Sequence, residues 1–320
     1  MKQQISKWLS VLLPVALGCY LIWYTFTGFT DAQIAEIKGY FKDAQYLYIV
    51  IAAFISILSC ASRAWRWKYP LAGMGYHVSF ANSFMAVNAG YLLNLTVPKS
   101  GEISRAILMK KYEEVPFDKG FGTIVAERIV DMVILLMFII VAFFLQFDIV
   151  KAFVLDQIPL NKLLLYGGIL IGFCTVGLWI YAYSRSKFIL ALKEKVSGLK
   201  EGLLSLWTME RKWAYLGHTI FIWFSFILTF YVTLFVFEPT RGLSVGATIS
   251  AFVVGSIAIA FTNSGFGSYP FLIAKILLFY SIPETVGNAF GWIVWTSQML
   301  VVLGLGLLSF LLLPVYNRTK

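Results

Sequence analysis

Residues 94–105, NLTVPKSGEISR, interrupt a long apolar segment with a proline, a glycine and three charged side chains. That segment covers residues 71–104, and because proline removes a backbone hydrogen bond from a helix, we expect the helix to break at Pro98. A second apolar segment, residues 244–281, is interrupted by glycines and a proline. Breaks at membrane depth are tolerated only where the freed backbone groups lie against protein or water. The two segments therefore predict broken helices within a membrane protein.

The composition places the rest of the chain in a membrane as well. Of its 320 residues, 59% are hydrophobic and 13% are charged, and the mean hydropathy is +0.79. A soluble domain carries roughly 45–50% apolar and about 25% charged residues, so the composition excludes a soluble enzyme, a disordered protein and an ordinary nucleic-acid-binding domain. The net charge of +10 then indicates an anionic lipid surface, rather than nucleic acid, as the partner.

The few reactive side chains indicate no metal or redox site. The three cysteines are widely spaced in apolar stretches, and two histidines are too few for a metal cluster. The sequence has no recognisable nucleophile–base pair, nucleotide-binding loop or zinc-binding motif. We therefore expect no catalytic residue, no metal ligand and no cofactor.

Six uninterrupted apolar segments are long enough to cross the bilayer, because a spanning helix needs about 20 apolar residues. Basic residues concentrate on the cytoplasmic side of membranes. Placing the basic clusters of this chain there puts both termini in the cytoplasm. The six segments are residues 8–26, 45–62, 120–147, 163–184, 213–236 and 286–314.

The same charge distribution determines how the two interrupted segments run. Basic residues flank residues 71–104 at both ends, so this segment must enter from the cytoplasm and return as a re-entrant hairpin. Residues 244–281 must enter and leave from the outside. The expected fold is an all-α polytopic membrane protein with six full spans and two opposed re-entrant hairpins, in a 3+3 inverted repeat typical of transporters.

The chain is expected to form one transmembrane domain made of two repeats. A glycine-to-proline spacing recurs in them, from Gly101 to Pro116 and from Gly267 to Pro283. Apolar residues at helical spacing in residues 188–207 predict an amphipathic helix on the cytoplasmic surface that joins the repeats. The expected parts of the domain, 1–320, are the first repeat at 1–150, the first span of the second repeat at 151–187, the linker helix at 188–210 and the remainder at 211–320.

Glu127, Arg128 and Asp131 are charged residues within an expected span. Ionised side chains at such depth cost at least about 2.5–3.5 kcal/mol each, so they must be paired or lie beside water. Glu127 and Asp131 share a helix face at i, i+4, and Arg128 reaches Asp131 at i, i+3. The group can bind a proton, a cation or an ammonium head group. The alternative is a structural ion-pair cluster that fixes the hairpin against its neighbouring span.

The first hairpin carries a second set of polar residues. Lys99 and Arg105 flank the expected break, and the positive end of a helix that starts after Gly101 points to the same place, which predicts a lipid-phosphate site. Alternatively, both cations extend to the head groups. Asn88 and Asn94 contact substrate or satisfy backbone groups freed at the break. The candidate residues of this set are Asn88, Asn94, Lys99, Gly101, Glu102 and Arg105.

The second hairpin offers backbone groups rather than acids. Gly265 and Gly267 permit an unwound bend and a close approach of helices. Lys275 lies deeper, where it reaches an acidic group or a phosphate, or is paired for structure alone.

A basic and aromatic run follows the second expected span. It comprises Arg63, Trp65, Arg66, Trp67, Lys68 and Tyr69. Such residues concentrate at membrane interfaces, so we expect a belt that anchors the chain on the cytoplasmic side. Selection of a lipid head group is the alternative.

The run at 94–105, followed by AERIVD at 126–131, resembles the lysylphosphatidylglycerol synthase transmembrane family, which includes the flippase-like domain of the bacterial multiple peptide resistance factor. The resemblance covers nearly the whole chain and implies a polytopic inner-membrane protein of bacteria or archaea that moves lipids between leaflets. The second hairpin departs from the family pattern at residues 263–270. Because the chain ends at Lys320, we expect no aminoacyl-transfer domain. The matching motif positions are Pro98, Gly101, Glu102, Arg105, Glu127, Arg128 and Asp131.

The leading hypothesis is a lipid flippase or transporter with a site between the two hairpins at mid-membrane. The charged group at 127–131 forms its floor, and the polar residues around Lys99 form its cytoplasmic mouth. The expected partners are membrane lipids with anionic or zwitterionic head groups, with a second copy of the chain or a synthase as further partners. Two alternatives remain open: a membrane-embedded transferase for a lipid phosphate or polyprenyl-phosphate sugar, and a scaffold that recruits a soluble synthase.

Overall fold

The apolar segments fold as helices throughout the part of the chain that the structure describes. The computed structural model describes residues 2–97, 99–147, 209–262 and 264–318, together with parts of 172–193. Every regular element in these residues is helical, which confirms the expected all-α class. The helices of the longer ranges are α1 (Lys2–Thr27), α2 (Asp31–Asp43), α3 (Tyr46–Gly73), α4 (Phe80–Thr96), α5 (Ser100–Glu113), α6 (Phe117–Leu145), α7 (Lys212–Thr233), α8 (Val245–Phe261), α9 (Ser268–Phe279) and α10 (Glu284–Tyr316), with short 3₁₀ turns at Leu234–Val236 and Glu238–Thr240.

Several of the described helices are long and apolar enough to cross a membrane. Four pass this test, namely α3, α6, α7 with its following turn, and α10. A fifth candidate consists of α1 and α2 together, with a bend of 113° between them. The chain is therefore a membrane protein with four or five candidate spans among its described residues. Outside those residues lie Pro98, Asn263, half of the expected span at 163–184 and most of the expected linker helix at 188–210.

The chain divides into two compact units, each of which is described by itself. The first unit comprises residues 1–124 and 209–320, and it contains both interrupted segments. The second unit comprises residues 125–208 and contains most of α6.

Each interrupted segment folds as two helices joined by a short break. Helices α4 and α5 form hairpin 1, with its break at residues 97–99, and helices α8 and α9 form hairpin 2, with its break at residues 262–267. The sequence-based boundary of the first segment, residue 104, is too early, because the returning helix α5 continues to Glu113. Charged residues lower the hydropathy of its last turns, but Ala106 and Met109 are fully buried there and hold the helix against its neighbours.

The two hairpins begin with the same local signals. Ser79 and Ser244, 165 residues apart, each accept a hydrogen bond from the backbone N–H three residues on, and each caps a helix of 17 residues. The second helix of each hairpin follows a residue with positive φ, Lys99 at 62° and Gly267 at 67°. Gly101, by contrast, lies in the first turn of α5, whereas Gly267 directly precedes α9.

The two hairpins also end in the same way. Glu114, with φ of 56°, and Ser281, with φ of 63°, adopt the left-handed conformation that commonly stops a helix. Each lies two residues before a proline, Pro116 or Pro283, and a long apolar helix follows at once. The order of long helix, broken hairpin and long helix therefore occurs twice along the chain.

Helix α10 packs on both hairpins, one along each of its halves. Near its start, a Cβ on Gly291 would lie 2.6 Å from the Pro270 Cα of α9. Near its end, Asn317 and Asn82 of α4 exchange side-chain amide hydrogen bonds of 2.7 and 2.8 Å. Gly306, nearer the middle of α10, contacts the later turns of α4. Because α10 runs antiparallel to both α4 and α9, the two breaks approach its middle from opposite ends.

Candidate functional site

Asn94 holds the break of hairpin 1 closed. Its Oδ1 accepts a hydrogen bond of 2.7 Å from the Gly101 N–H, and its Nδ2 donates to Glu102 Oε2 at 3.4 Å. One backbone N–H that the sequence offers to a lipid phosphate is therefore already bonded within the hairpin. Lys99 lies beside this contact and is exposed.

Two glycines bring α4 and α5 into backbone contact next to this break. A Cβ on Gly101 would lie 2.1 Å from the Gly90 carbonyl oxygen, and a Cβ on Gly90 would lie 2.9 Å from the Gly101 carbonyl oxygen. Residues without a Cβ are needed for backbones to approach so closely. Gly101 therefore has a packing role at the break.

The break of hairpin 2 bends through three residues with positive φ. Ser264, Gly265 and Gly267 have φ values of 56°, 78° and 67°. Thr262 Oγ1 accepts a hydrogen bond of 3.1 Å from the Gly265 N–H and lies 2.8 Å from Ser268 Oγ, so one hydroxyl spans the turn. Both glycines expected at this site are buried in the turn and supply the bend.

Between its contacts with the two hairpins, α10 presents polar groups that the sequence reasoning missed. Trp295 Nε1 donates to the Ser264 carbonyl oxygen at 2.9 Å, which ties hairpin 2 to α10. Gln298 Oε1 accepts a hydrogen bond of 2.9 Å from Ser56 Oγ of α3. Gln298 Nε2 is buried and has no hydrogen-bond partner in the described part of the chain. Trp295, Gln298 and Gly306 follow helical spacing, so they share a face that runs from one hairpin towards the other.

Arg105 lies in the interior of the first unit. The residue is 2% exposed, and its guanidinium carbon lies 4.3 Å from the centroid of the Trp67 ring. The indole N–H of Trp67 donates to Thr123 Oγ1 at 2.8 Å. Arg105 therefore takes part in the packing of α5 against α3, where the aromatic face stabilises a desolvated cation.

Arg63 and Arg66 are also buried, and this differs from the interfacial belt expected from the sequence. They are 3% and 0% exposed. Arg66 Nη1 donates to Thr219 Oγ1 of α7 at 3.0 Å. Trp65, in contrast, is 46% exposed and lies under the Lys68 ammonium. Arg63 and Arg66 therefore lie on the buried face of α3, and Trp65 lies on its exposed face.

In the second unit, Arg128 lies between two carboxylates of α6. Its Nη2 is 3.7 Å from Glu127 Oε1, and its Nη1 is 3.6 Å from Asp131 Oδ2. The side chains of Glu127 and Asp131 are only 3% and 12% exposed. The expected reach of Arg128 to Asp131 is therefore confirmed. The two acids and one guanidinium can hold a proton or a cation.

Two sequence candidates make local contacts away from the breaks. Asn88 is buried, and its Nδ2 donates to the Phe84 carbonyl oxygen at 2.8 Å. Lys275 is exposed and pairs with Glu284, where α9 is followed by α10. It lies about 10 Å along α9 from the break of hairpin 2, at 1.5 Å per residue. Neither residue lies at a break.

Comparisons with known proteins agree with the resemblance read from the motifs. A UPF0104 membrane protein of Methanocaldococcus jannaschii is 24% identical over 274 residues, which cover 76% of this chain and 77% of the relative. A UPF0104 membrane protein of Pyrococcus horikoshii is 28% identical over 143 residues, which cover 43% of this chain and 41% of the relative. No solved structure matches the chain. The model of one family matches residues 11–306, and the chain therefore belongs to that family, the lysylphosphatidylglycerol synthase TM region.

Proposed function

We propose that this protein moves a phospholipid, or another lipid-linked head group, across the cytoplasmic membrane of a bacterium or archaeon. The observation that carries the proposal is the approach of two helix breaks to the middle of α10 from opposite ends. Discontinuous helices near the bilayer midplane form the substrate sites of many transporters. The description of the family as the membrane region of a lipid synthase supports a lipid as the substrate.

The proposed membrane arrangement has six spans and two re-entrant hairpins in a 3+3 inverted repeat that takes up the whole chain. The recurrence of serine cap, break, left-handed helix end and proline supports this arrangement. Hairpin 1 enters from the cytoplasm, where both termini lie, and hairpin 2 enters from the outside. Helix α10 has 33 residues and is about 50 Å long, so it reaches both surfaces and contacts each hairpin along one half.

The polar path that we propose follows one face of α10. Gln298 lies on that face between the two breaks and offers an amide N–H to a head-group oxygen. Lys99, exposed at the break of hairpin 1, adds a cation, which favours lipids with an anionic phosphate, whether net anionic or zwitterionic. The acyl chains stay in the bilayer, so only the head group has to exchange water for protein contacts.

The acids of α6 are proposed to couple the movement to protons. The carboxylates of Glu127 and Asp131 lie on either side of the Arg128 guanidinium, and their side chains are only 3% and 12% exposed. A charge at membrane depth is costly, and uptake of one proton removes it. Glu127 and Asp131 therefore offer a place where a proton gradient can act on the protein.

Flipping of a fluorescent phospholipid by the purified protein in sealed vesicles tests the proposal. Loss of a hydrogen bond to a charged group costs about 1.5–3 kcal/mol, so Gln298→Leu is expected to slow flipping by about tenfold or more. Thr296→Leu, an exposed change on the same helix, is the matched control and should keep the wild-type rate. Wild-type vesicles that flip no faster than protein-free vesicles contradict the proposal. Conversion of the lipid into a new product, seen by mass spectrometry, would assign a transferase instead.

A further inference from the structure

A groove of about 500 Å³ lies between α3 and α7 of the first unit, away from the face of α10 described above. Two of its lining residues, Leu58 and Phe221, are 42% and 43% exposed, so the groove opens on a surface of apolar side chains. An apolar surface of a membrane helix faces lipid. The lining residues are Leu58, Ser62, Ala214, Gly217, His218 and Phe221.

One end of this groove is polar and the other is apolar. At the polar end, Ser62 Oγ lies 2.8 Å from His218 Nδ1, and the Tyr69 hydroxyl lies 3.4 Å from His218 Nε2. Leu58, one turn before Ser62 on α3, and Phe221, nearly one turn after His218 on α7, line the apolar end. This gradient matches an amphiphile whose head group binds at the histidine and whose acyl chain follows the two apolar residues.

The polar end lies near the start of α7, and two arginines lie close to it. Helix α7 begins at Lys212, so His218 lies about 9 Å from the end of the helix, close to where head groups meet acyl chains. Arg211 is exposed at the start of α7. Arg66 lies one turn after Ser62 and donates to Thr219, the neighbour of His218. Neither arginine lines the groove, but the exposed cation of Arg211 and the buried cation of Arg66 near its polar end favour an anionic over a cationic head group.

We propose that this groove binds one phospholipid, with its anionic phosphodiester at His218 and Ser62 and one acyl chain along Leu58 and Phe221. Gly217 makes room for that chain, because a Cβ built on it would meet no atom of the described residues within 4 Å. The site goes beyond the proposed function, since it lies outside the path along α10 and is occupied whether or not the protein moves lipid.

Filling the groove tests this proposal without disturbing the helices around it. Gly217→Leu places a side chain in the open space, and Gly304→Leu, at an exposed glycine of α10 that also meets nothing within 4 Å, is the matched control. Binding of short-chain phosphatidylglycerol to the purified full-length protein is titrated by native mass spectrometry. Gly217→Leu and His218→Leu are each expected to weaken the tightest binding event by about tenfold, which is about 1.4 kcal/mol, and Gly304→Leu to leave it unchanged.

Three further arms decide between this lipid and other occupants. Diacylglycerol, which lacks the phosphate, should bind more weakly than phosphatidylglycerol, and glycerol phosphate, which lacks the acyl chains, should not compete. Equal affinities of Gly217→Leu and Gly304→Leu overturn the proposal, as does equal binding of diacylglycerol or competition by glycerol phosphate. Dissociation of a dimer by Gly217→Leu would overturn it in favour of a contact between two copies. Because this experiment measures binding, a negative result does not contradict the proposed flipping activity. A negative flipping assay, in turn, does not contradict this lipid site.

Discussion

A missing methyl group decides how closely the two helices of hairpin 1 approach each other. Gly101, in the first turn of α5, touches the backbone of Gly90. Its N–H also donates a hydrogen bond to Asn94 Oδ1. The close approach and the hydrogen bond act on the same residue, so the geometry of the break depends on it. Lys99, which is proposed to meet the substrate, is held in place by these contacts.

Replacing Gly101 with alanine is therefore expected to lower the stability of the protein by about 1–3 kcal/mol, the usual cost of overpacking. The matched change Gly122→Ala introduces a methyl group that meets nothing within 4 Å, and it should be neutral or stabilising by about 0.5–1 kcal/mol. Thermal unfolding of the two variants in the same detergent measures the difference. Equal melting temperatures would show that the backbone contact does not hold the hairpin closed.

The acids of α6 lead to a second prediction at this scale, which rests on the proposed function. Glu127→Gln and Asp131→Asn remove the charges that a proton would neutralise, so each variant should lose the acceleration of flipping that a pH gradient produces. Asp118→Asn, a change at an exposed acid in the first turn of the same helix, should keep it. Rates in vesicles with and without the gradient give the ratio. An unchanged ratio in both buried-site variants contradicts proton coupling through this group.

At the residue scale the sequence predicted contacts within one helix and missed contacts between helices. The reach of Arg128 to Asp131 depends only on the helical repeat, and it is confirmed. The burial of Arg105 depends on Trp67, which belongs to another helix. The sequence around Arg105 does not show that its guanidinium will pack on an aromatic ring. Gln298 was readable as a lone glutamine in a long apolar helix, but its importance depends on where the two breaks lie.

At the scale of elements, the two hairpins are positioned by their ends as much as by their breaks. The base of hairpin 1 is a polar cluster in which Ser79 and Asn82 donate to the same oxygen of Glu113 at 2.6 Å each. Asn82 also exchanges amide hydrogen bonds with Asn317, so the end of α10 is tied to the start of α4. This tie fixes the half of α10 that runs along hairpin 1.

A double-mutant cycle of Asn82→Ala and Asn317→Ala is expected to give a coupling energy of about 0.6 kcal/mol, with about 1.7 kcal/mol as the upper limit for such contacts in membrane proteins. The pair Thr27→Ala and Asn317→Ala is the control, because the Thr27 hydroxyl donates to the Trp23 carbonyl oxygen of its own helix and the two changes should be additive. Free energies of unfolding of the single and double variants supply both cycles. Additivity of the asparagine pair would mean that the exchanged amide bonds do not hold α10.

The helix ends were partly readable from the sequence. Ser79, Ser244, Pro116 and Pro283 are local signals, and they mark the helix starts in both halves. The end of hairpin 1 was placed too early because charged residues hide the buried face of α5. In such an amphipathic helix, packing decides the boundary and mean hydropathy does not.

At the scale of the whole molecule, opposed hairpins require their bases to lie on opposite sides of the membrane. The charge distribution in the sequence is evidence for this sidedness. The contacts of α10 could not be predicted, because the sequence does not show which helices pack against Gly291 and Gly306. Hydropathy alone cannot show that a chain turns back within the bilayer. The proposed sidedness therefore needs a direct measurement.

Single cysteines at the exposed positions His77, at the base of hairpin 1, and Gly242, at the base of hairpin 2, provide that measurement. An impermeant thiol reagent should label the cysteine at 242 in intact cells and the cysteine at 77 only after the membrane is opened. The parent chain carries serine in place of the three native cysteines, Cys19, Cys60 and Cys174. Labelling of both positions from the same side rules out the inverted repeat and with it the proposed path.

The double attachment of α10 has a mechanical consequence. One end of this helix is hydrogen-bonded to α4 through Asn317, and the other end packs on α9 through Gly291. If the contact at one end loosens, a tilt of α10 about its middle moves its two ends in opposite directions, and paired spin labels should then show one end approaching its hairpin while the other moves away. In the proposed transport cycle, such a tilt closes one hairpin against α10 as the other opens, so the substrate meets one side of the membrane at a time.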